Sequence, residues 1–304
     1  MPITPNPMSS KFVLFAQHGW ADTNQSIASL SKTLVTEDVP IIAPDLGWAK
    51  TWVRIAPLIQ HVEKAAFKAL QDHPDFSWRI MGHSMGGLIW VELLTRHPEW
   101  WPRVHSLTLV GSPIGGSDLG RIIDPLKLGI AIAKDLGTNR RPLAEAIAAH
   151  IPTLVVAGDS DGGSDGTVTL ECTKVARATF VVLPDIAHAS LKNHPLVGKA
   201  IQMFWRQPQV LPAEALTPTV EVIQQLRQVP GMTDAHHRDI QRARTLLRLP
   251  DGSSLRTWTN GLGVPHVFVI SDDGQCLYGG FVGWVHRGEL QTTLNQIQNN
   301  FLHR

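Results

Sequence analysis

Cysteine, tyrosine and net charge are what this chain has little of. Its two cysteines, Cys172 and Cys276, lie far apart; they argue against a disulfide framework and point to a reducing, cytoplasmic compartment. Lys and Arg number 27 against 26 Asp and Glu, a formal net charge of +1, which argues against nucleic acid or another polyanion as partner. No apolar run approaches the roughly 18 residues of a membrane span, so no integral membrane segment is expected. Residues 1–10 hold three prolines and no basic region followed by an apolar core, so no secretory signal is expected. One Tyr stands against ten Trp: indole faces must serve the packing or an apolar site. At 304 residues and 43% hydrophobic, the chain has material for one large domain or two unequal ones.

Short apolar runs recur along the first two thirds. Lys11 to Gln17, Val39 to Ala43, Ser77 to Met81, Val104 to Val110, Thr153 to Ala157 and Thr179 to Leu183 read as strands buried on both faces, as in a parallel sheet. Segments of helical spacing separate them. Ala21 to Val35 places Ile27, Leu30 and Leu34 on one side, and about Val53 to Leu70 aligns Leu58, Val62, Ala65, Ala66 and Ala69. Alternating strands and helices give a doubly wound α/β sheet.

In such a sheet the chemistry lies beyond the carboxyl ends of the strands. Gly82-His83-Ser84-Met85-Gly86 follows the third strand and opens an apolar helical segment, the strand, turn and helix context of a nucleophile elbow. The glycines have a mechanical reason, since the turn strains Ser84 and a side chain at 82 or 86 would collide across it. His18-Gly19-Trp20 follows the first strand, the acidic loop Gly158 to Gly166 the fifth, and Asp185-Ile186-Ala187-His188 the sixth. Serine, aspartate and histidine thus occur in that chain order.

On these residues, together with Gly87, Gly111-Ser112-Pro113, Gly116-Ser117, Asp165-Gly166-Thr167-Val168 and Asn193-His194-Pro195, the segment 11–206 resembles the α/β-hydrolase superfamily. It looks most like small esterase and lipase members with a reduced cap. The resemblance implies a mostly parallel α/β sheet, hydrolysis of carboxylic esters, lipid acyl esters included, and no cofactor. Ser84 would be the nucleophile, His188 the base, and the backbone N–H groups of Trp20 and Met85 the oxyanion donors. For the acid, Asp165 ranks first because it opens an Asp-Gly-Thr-Val turn like the one that carries it in related hydrolases. Asp161 and Asp159 stay open as alternatives, since Gly162-Gly163-Ser164 looks like an insertion; surplus aspartates in a Gly-rich loop ordinarily form turns and caps.

The remaining conspicuous residues have plainer readings. His83 is expected to pack beneath the elbow, His194 to lie on a helix surface, and the adjacent His236-His237 to bind no metal, because neighbouring helical positions point about 100° apart. Residues 115–150 form a short apolar cap that either covers the sheet or, with Ile123 and Leu126, gates acyl chains and touches a lipid surface. Trp48, Trp52, Trp100 and Trp101 either line that apolar site or pack a loop.

Past Trp205, residues 207–218 hold Pro208, Pro212 and Pro218 and read as a linker. Residues 219–304 are expected to form a small α+β accessory unit. It has helices at about Thr219–Gln228 and Thr233–Leu247, strands at about Ser254–Thr259, His266–Ser271 and Cys276–Val282, a hairpin turn at Asp272-Asp273-Gly274, and a final helix from about Arg287 to Leu302. It would pack on the first unit, contact a protein partner or restrict the site. Beside the ester hydrolase stand a thioesterase or acyltransferase with the same residues and a non-catalytic scaffold that binds a ligand or partner.

Overall fold

In a computed structural model, residues 11–116 and 131–302 are described. The first sheet is built from β1 (Phe12–Gln17), β2 (Ile41–Ile42), β3 (Ser77–His83), β4 (Val104–Val110), β5 (Thr153–Asp159) and β6 (Thr179–Pro184). All neighbours run parallel, in the order β2-β1-β3-β4-β5-β6. Every parallel connection needs a crossover, and the helices supply it: α1 (Asn24–Leu34), α2 (Ile55–Asp72), α3 (Met85–Arg96), α4 (Ala131–Leu136), α5 (Arg141–Ala148) and the single turn α6 (Leu170–Thr173); the single turn α7 (His188–Leu191) and α8 (Pro195–Arg206) follow the last strand.

The inner strands β1, β3, β4 and β5 read as continuous apolar runs because each is covered twice, whereas the edge strand β6 leaves Phe180 and Val182 exposed. Val13 and Phe15 of β1 pack in one layer with Leu58, Val62 and Ala66 of α2 and Leu88, Val91 and Leu94 of α3. Ala16 faces the opposite layer, with Ile27 and Leu30 of α1 and Val197 and Ile201 of α8. Burying a side chain of this size contributes about 1.5–3 kcal/mol, so both layers are needed to hold the sheet.

The tryptophans divide between core and site. Trp78 on β3 and Trp90 on α3 each meet Phe15 edge to face at 4.9 Å, and Trp100 meets Trp78 at 5.2 Å. Trp101 donates its Nε1–H to the Leu94 carbonyl at 2.7 Å. Of the four tryptophans offered for an apolar site, Trp100 and Trp101 therefore pack the elbow's helix layer.

The second sheet is antiparallel, in the order β7-β11-β10-β9-β8. It comprises β7 (Thr233–Asp234), β8 (Arg244–Arg248), β9 (Ser254–Thr259), β10 (Pro265–Ile270) and β11 (Cys276–Phe281). Two helices, α9 (Pro218–Arg227) and α10 (Arg287–Leu302), supply Val222, Leu226, Leu290 and Ile297 to a core with Val267, Val269 and Tyr278. The helix expected over Thr233–Leu247 is absent. That stretch is split into β7, a 3-10 turn at His237–Arg242 and β8, because both of its ends are captured as outer strands of this sheet. Both cysteines are free, and burial pushes the Cys276 thiol up to about 12.

Candidate active site

The strand order reverses direction between β1 and β3, and a crevice opens at the carboxyl ends of strands at such a point. Ser84 stands at the end of β3, on the β1 side. Its φ of 54° and ψ of −124° are a strained conformation for a residue with a side chain. The surroundings enforce it. The Ser84 N–H is held by the Val110 carbonyl at 2.8 Å. A Cβ at position 82 would fall 2.5 Å from the Gly87 nitrogen, and one at position 86 would fall 2.3 Å from the Gln17 carbonyl oxygen. Strand, turn and helix can approach this closely only through glycine.

His188 begins α7, directly after a turn in which Asp185 takes a φ of 59°. Its Nε2 lies 3.0 Å from Ser84 Oγ and its Nδ1 lies 2.6 Å from Asp165 Oδ2. Asp165 is 2% exposed, and its other oxygen accepts the N–H groups of Thr167 at 3.0 Å and Val168 at 2.7 Å. The carboxylate therefore enters the site with one oxygen already bound and the second aimed at the imidazole. A continuous path of hydrogen bonds runs from Asp165 through His188 to Ser84, the geometry by which an imidazole can take a hydroxyl proton.

The other two aspartates are used elsewhere. Asp159 Oδ1 accepts the N–H groups of Gly162 and Gly163, both at 2.8 Å. Asp161 binds Ser164 through its N–H and its hydroxyl, each at 2.8 Å. Neither bonds His188.

Comparison of the sequence with protein-family models and with curated proteins finds no match. Solved structures do match. Against the mature form of the lipase BlEst2 from Bacillus licheniformis the TM-score is 0.51 at 16% identity, over 66% of this chain and 94% of that one. Against one of the metagenome-derived lipolytic enzymes LipS and LipT it is 0.50 at 16% identity, over 65% and 94%. The propeptide form of BlEst2 gives 0.55 at 13% identity, over 91% of this chain and 72% of that one.

The chain has the α/β-hydrolase fold.

Within this α/β-hydrolase fold, Met85 follows the end of β3 and Trp20 lies in the turn after β1. Met85 opens α3, where an N–H has no partner inside the helix, and none is recorded for Trp20 among the described residues. The turn lies against the elbow: a Cβ on Gly19 would sit 2.8 Å from Ser84 Cβ and 3.3 Å from the Met85 nitrogen. The neighbouring Ala21, at a φ of 51°, donates its N–H to Thr51 Oγ1 at 3.0 Å. Trp20 packs on Trp52 at 4.3 Å, and Trp48 follows at 5.5 Å.

The bonds made by several supporting residues carried no signal in the sequence. His18 is buried, with Nδ1 3.0 Å from the Gly19 carbonyl and Nε2 accepting the Leu46 N–H at 2.9 Å; the pair of bonds places its proton on Nδ1. Burial holds His18 below the ordinary imidazole value, so it serves as a neutral strut. His83, expected only to pack, also donates Nε2–H to the His188 carbonyl at 3.1 Å. Burial foremost, and His188 beside it, hold His83 well below the usual value. Lys192 joins the two loops that flank Ser84 by an ion pair to Asp22 at 2.9 Å. His194 caps α8, its Nδ1 accepting the Leu196 N–H at 3.2 Å. These contacts depend on tertiary placement; the one legible cue was His194-Pro195, a cap before a helix that begins with proline.

Among the described residues, no group of three or more His, Cys, Asp or Glu is arranged to hold a metal ion, and no helix is long and apolar enough to cross a membrane. Ser117, Ile123 and Leu126 lie outside the described residues, and with them the central part of the expected cap.

Proposed function

We propose that the protein is a serine hydrolase of carboxylic esters. Ser84 is the nucleophile, His188 the general base and acid, Asp165 the orienting carboxylate, and the N–H groups of Trp20 and Met85 the oxyanion donors. The observation that carries the reading is the bonded series Asp165–His188–Ser84 at 2.6 and 3.0 Å, with its serine at a positive φ on the elbow. The lipase and esterase neighbours support it at the level of fold.

The reaction runs in two halves. Ser84 Oγ attacks the ester carbonyl carbon while His188 Nε2 takes the hydroxyl proton. Charge collects on the carbonyl oxygen, where each preorganised donor is worth about 3 kcal/mol of transition-state stabilisation. Collapse expels the alcohol, which leaves with the proton from His188, and an acyl-Ser84 ester remains. Water then attacks that ester, giving its proton to His188. Collapse of the second tetrahedral intermediate releases the carboxylic acid as His188 returns the proton to Ser84 Oγ. Asp165 holds the imidazole with Nδ1–H toward itself and stabilises the imidazolium in both halves.

We assign residues 1–206 to the hydrolase domain, with a short cap at about 115–150, residues 207–218 to a linker and 219–304 to an accessory domain. The substrate is a small-molecule or lipid ester, with the apolar cap contacting the acyl chain or a lipid surface.

A fluorophosphonate probe should label the protein and should not label Ser84→Ala, and p-nitrophenyl esters of increasing chain length should be cleaved by the former alone. A wild-type protein that neither labels nor cleaves would leave the scaffold reading in its place.

A further inference from the structure

The acidic loop after β5 is held by the second sheet directly through His236, and the helix that leaves the loop is held indirectly through Asp234 and Arg141. Asp234 ends β7, and two residues later His236 projects from the same extended segment, which the Ala235 N–H bonds to the Gly279 carbonyl of β11 at 2.8 Å. Asp234 pairs with Arg141 at 2.8 Å, both side chains being buried. Arg141 in turn donates to the carbonyls of Glu171 at 2.8 Å and Lys174 at 3.0 Å, around the helix that leaves the loop. His236 meets the loop itself, its Nε2 lying 3.1 Å from Asp161 Oδ1. The His236 ring rests on Gly163, where φ is +153° and a Cβ would lie 3.0 Å from the ring.

The protonation of this contact follows from its partners. His236 Nδ1 accepts the Arg238 N–H at 2.9 Å, so in the neutral ring Nε2 carries the proton and donates it to Asp161. Asp161 passes the restraint inward by accepting both the N–H and the hydroxyl of Ser164 at 2.8 Å. Ser164 Oγ accepts the Gly166 N–H at 3.0 Å, and the Ser164 carbonyl accepts the Ser160 N–H at 2.7 Å. Asp165 is bracketed by the two residues so held, and its own N–H goes to the Val168 carbonyl at 3.1 Å. The loop contains Gly162 at a φ of +79° and Gly163, and a Gly-rich loop has many conformations open to it unless something outside selects one.

We propose that His236 and Asp161 are positioning residues: through Ser164 they set the turn that aims Asp165 at His188, so the C-terminal unit helps complete the site of the hydrolase. The proposal rests on the hydrolase reading above and assigns Asp161 a task in place of the catalytic one for which it was a candidate. A misplacement of about 1 Å can cost up to about a hundredfold in rate, and the chain from His236 to Asp165 is three side chains long, so a loss of about tenfold is expected.

The test uses the full-length protein. His236→Ala and Asp161→Ala should each lower kcat about tenfold with KM little changed, and should slow fluorophosphonate labelling of Ser84 by the same factor. His236→Gln, which keeps a donor near the Nε2 position, should recover most of the rate. The double variant should lose no more than either single one, because both break the same link. Independently of turnover, the far-downfield proton resonance of the His188–Asp165 hydrogen bond should shift or broaden in His236→Ala and return in His236→Gln.

Unchanged kcat and an unchanged resonance in His236→Ala would overturn the proposal while leaving the hydrolase reading intact. A rise in kcat would overturn it too and would mark the second unit as a brake. If wild-type protein fails to label at Ser84 while the resonance still responds to His236→Ala, the hydrolase reading falls and the link between the units remains.

Discussion

Three aspartates stand within seven positions at the end of β5 and in the loop after it, and what separates them is how each carboxylate is already engaged. Asp159 closes a turn on two backbone N–H groups, Asp161 is occupied by Ser164 and His236, and Asp165 keeps one oxygen for His188. Asp165→Asn should lower kcat by about ten-thousandfold, since the amide favours the wrong imidazole tautomer. Asp159→Asn, which can still accept both N–H groups through its side-chain oxygen, should stay within about twofold of wild type. Steady-state kinetics on one activated ester checks both, and the reverse ranking would transfer the acid's role to Asp159. Ser84 and His188 could be picked out from the sequence because their turns are local: glycines four residues apart around the serine, and a histidine just past the last parallel strand. The choice among the aspartates was not local, because it depends on which carboxylate the loop turns toward His188.

At the scale of elements, α2, α3 and the turn after α3 are joined by an imidazole that lies outside the candidate site. His97 caps the end of α3 and stacks on Trp100 at 4.0 Å, with Nε2 and Nδ1 each 2.8 Å from Glu63 and Glu99. Burial alone would lower its titration point, but the two carboxylates outweigh burial and the net direction is upward. A raised folded value means that the charged ring is bound more tightly in the folded chain than in the unfolded one. This stabilisation is complete below the unfolded value near 6.5 and disappears as pH rises through the folded value. His97→Gln should therefore cost about 0.5–1 kcal/mol at pH 6 and clearly less at pH 9, read from urea unfolding midpoints. An equal cost at both pH values would show that stacking on Trp100 is the whole contribution. Most elements could be read from their periodicity because burial on both faces writes continuous apolar runs. The stretch Thr233–Leu247 could not, because its helical spacing yields to pairing of β7 with β11 and of β8 with β9.

At the scale of the whole molecule, the two sheets are joined by a cluster of charges whose centre, Arg141, Asp234 and Glu171, is buried. Asp234 and Arg141 are 4% and 5% exposed. Glu171, fully buried, pairs with Lys174 and Arg227 at 2.8 Å each. Burial would lower the Arg141 guanidinium, yet Asp234 beside it pushes the value up. Asp234→Ala would leave that cation buried and unpaired, and should cost about 3–5 kcal/mol of unfolding free energy. The loss should persist at high salt, since a buried pair is poorly screened. Denaturant unfolding at low and high ionic strength checks it, and a cost below about 1 kcal/mol would mean that water enters the junction. Nothing in the run of residues announced this junction: Arg141 and Asp234 are 93 positions apart, and each alone looks like a surface charge.

The sequence by itself determined the parallel sheet, the elbow at Ser84 and the placement of His188, because burial periodicity and tight turns are properties of a few neighbouring residues. Tertiary structure decided which aspartate meets His188, which tryptophans join the core, and that the segment after β7 contacts the loop that carries Asp165. Those outcomes depend on distances between segments that the chain brings together only by folding, where a hydrogen bond or a buried charge finds its partner or fails to.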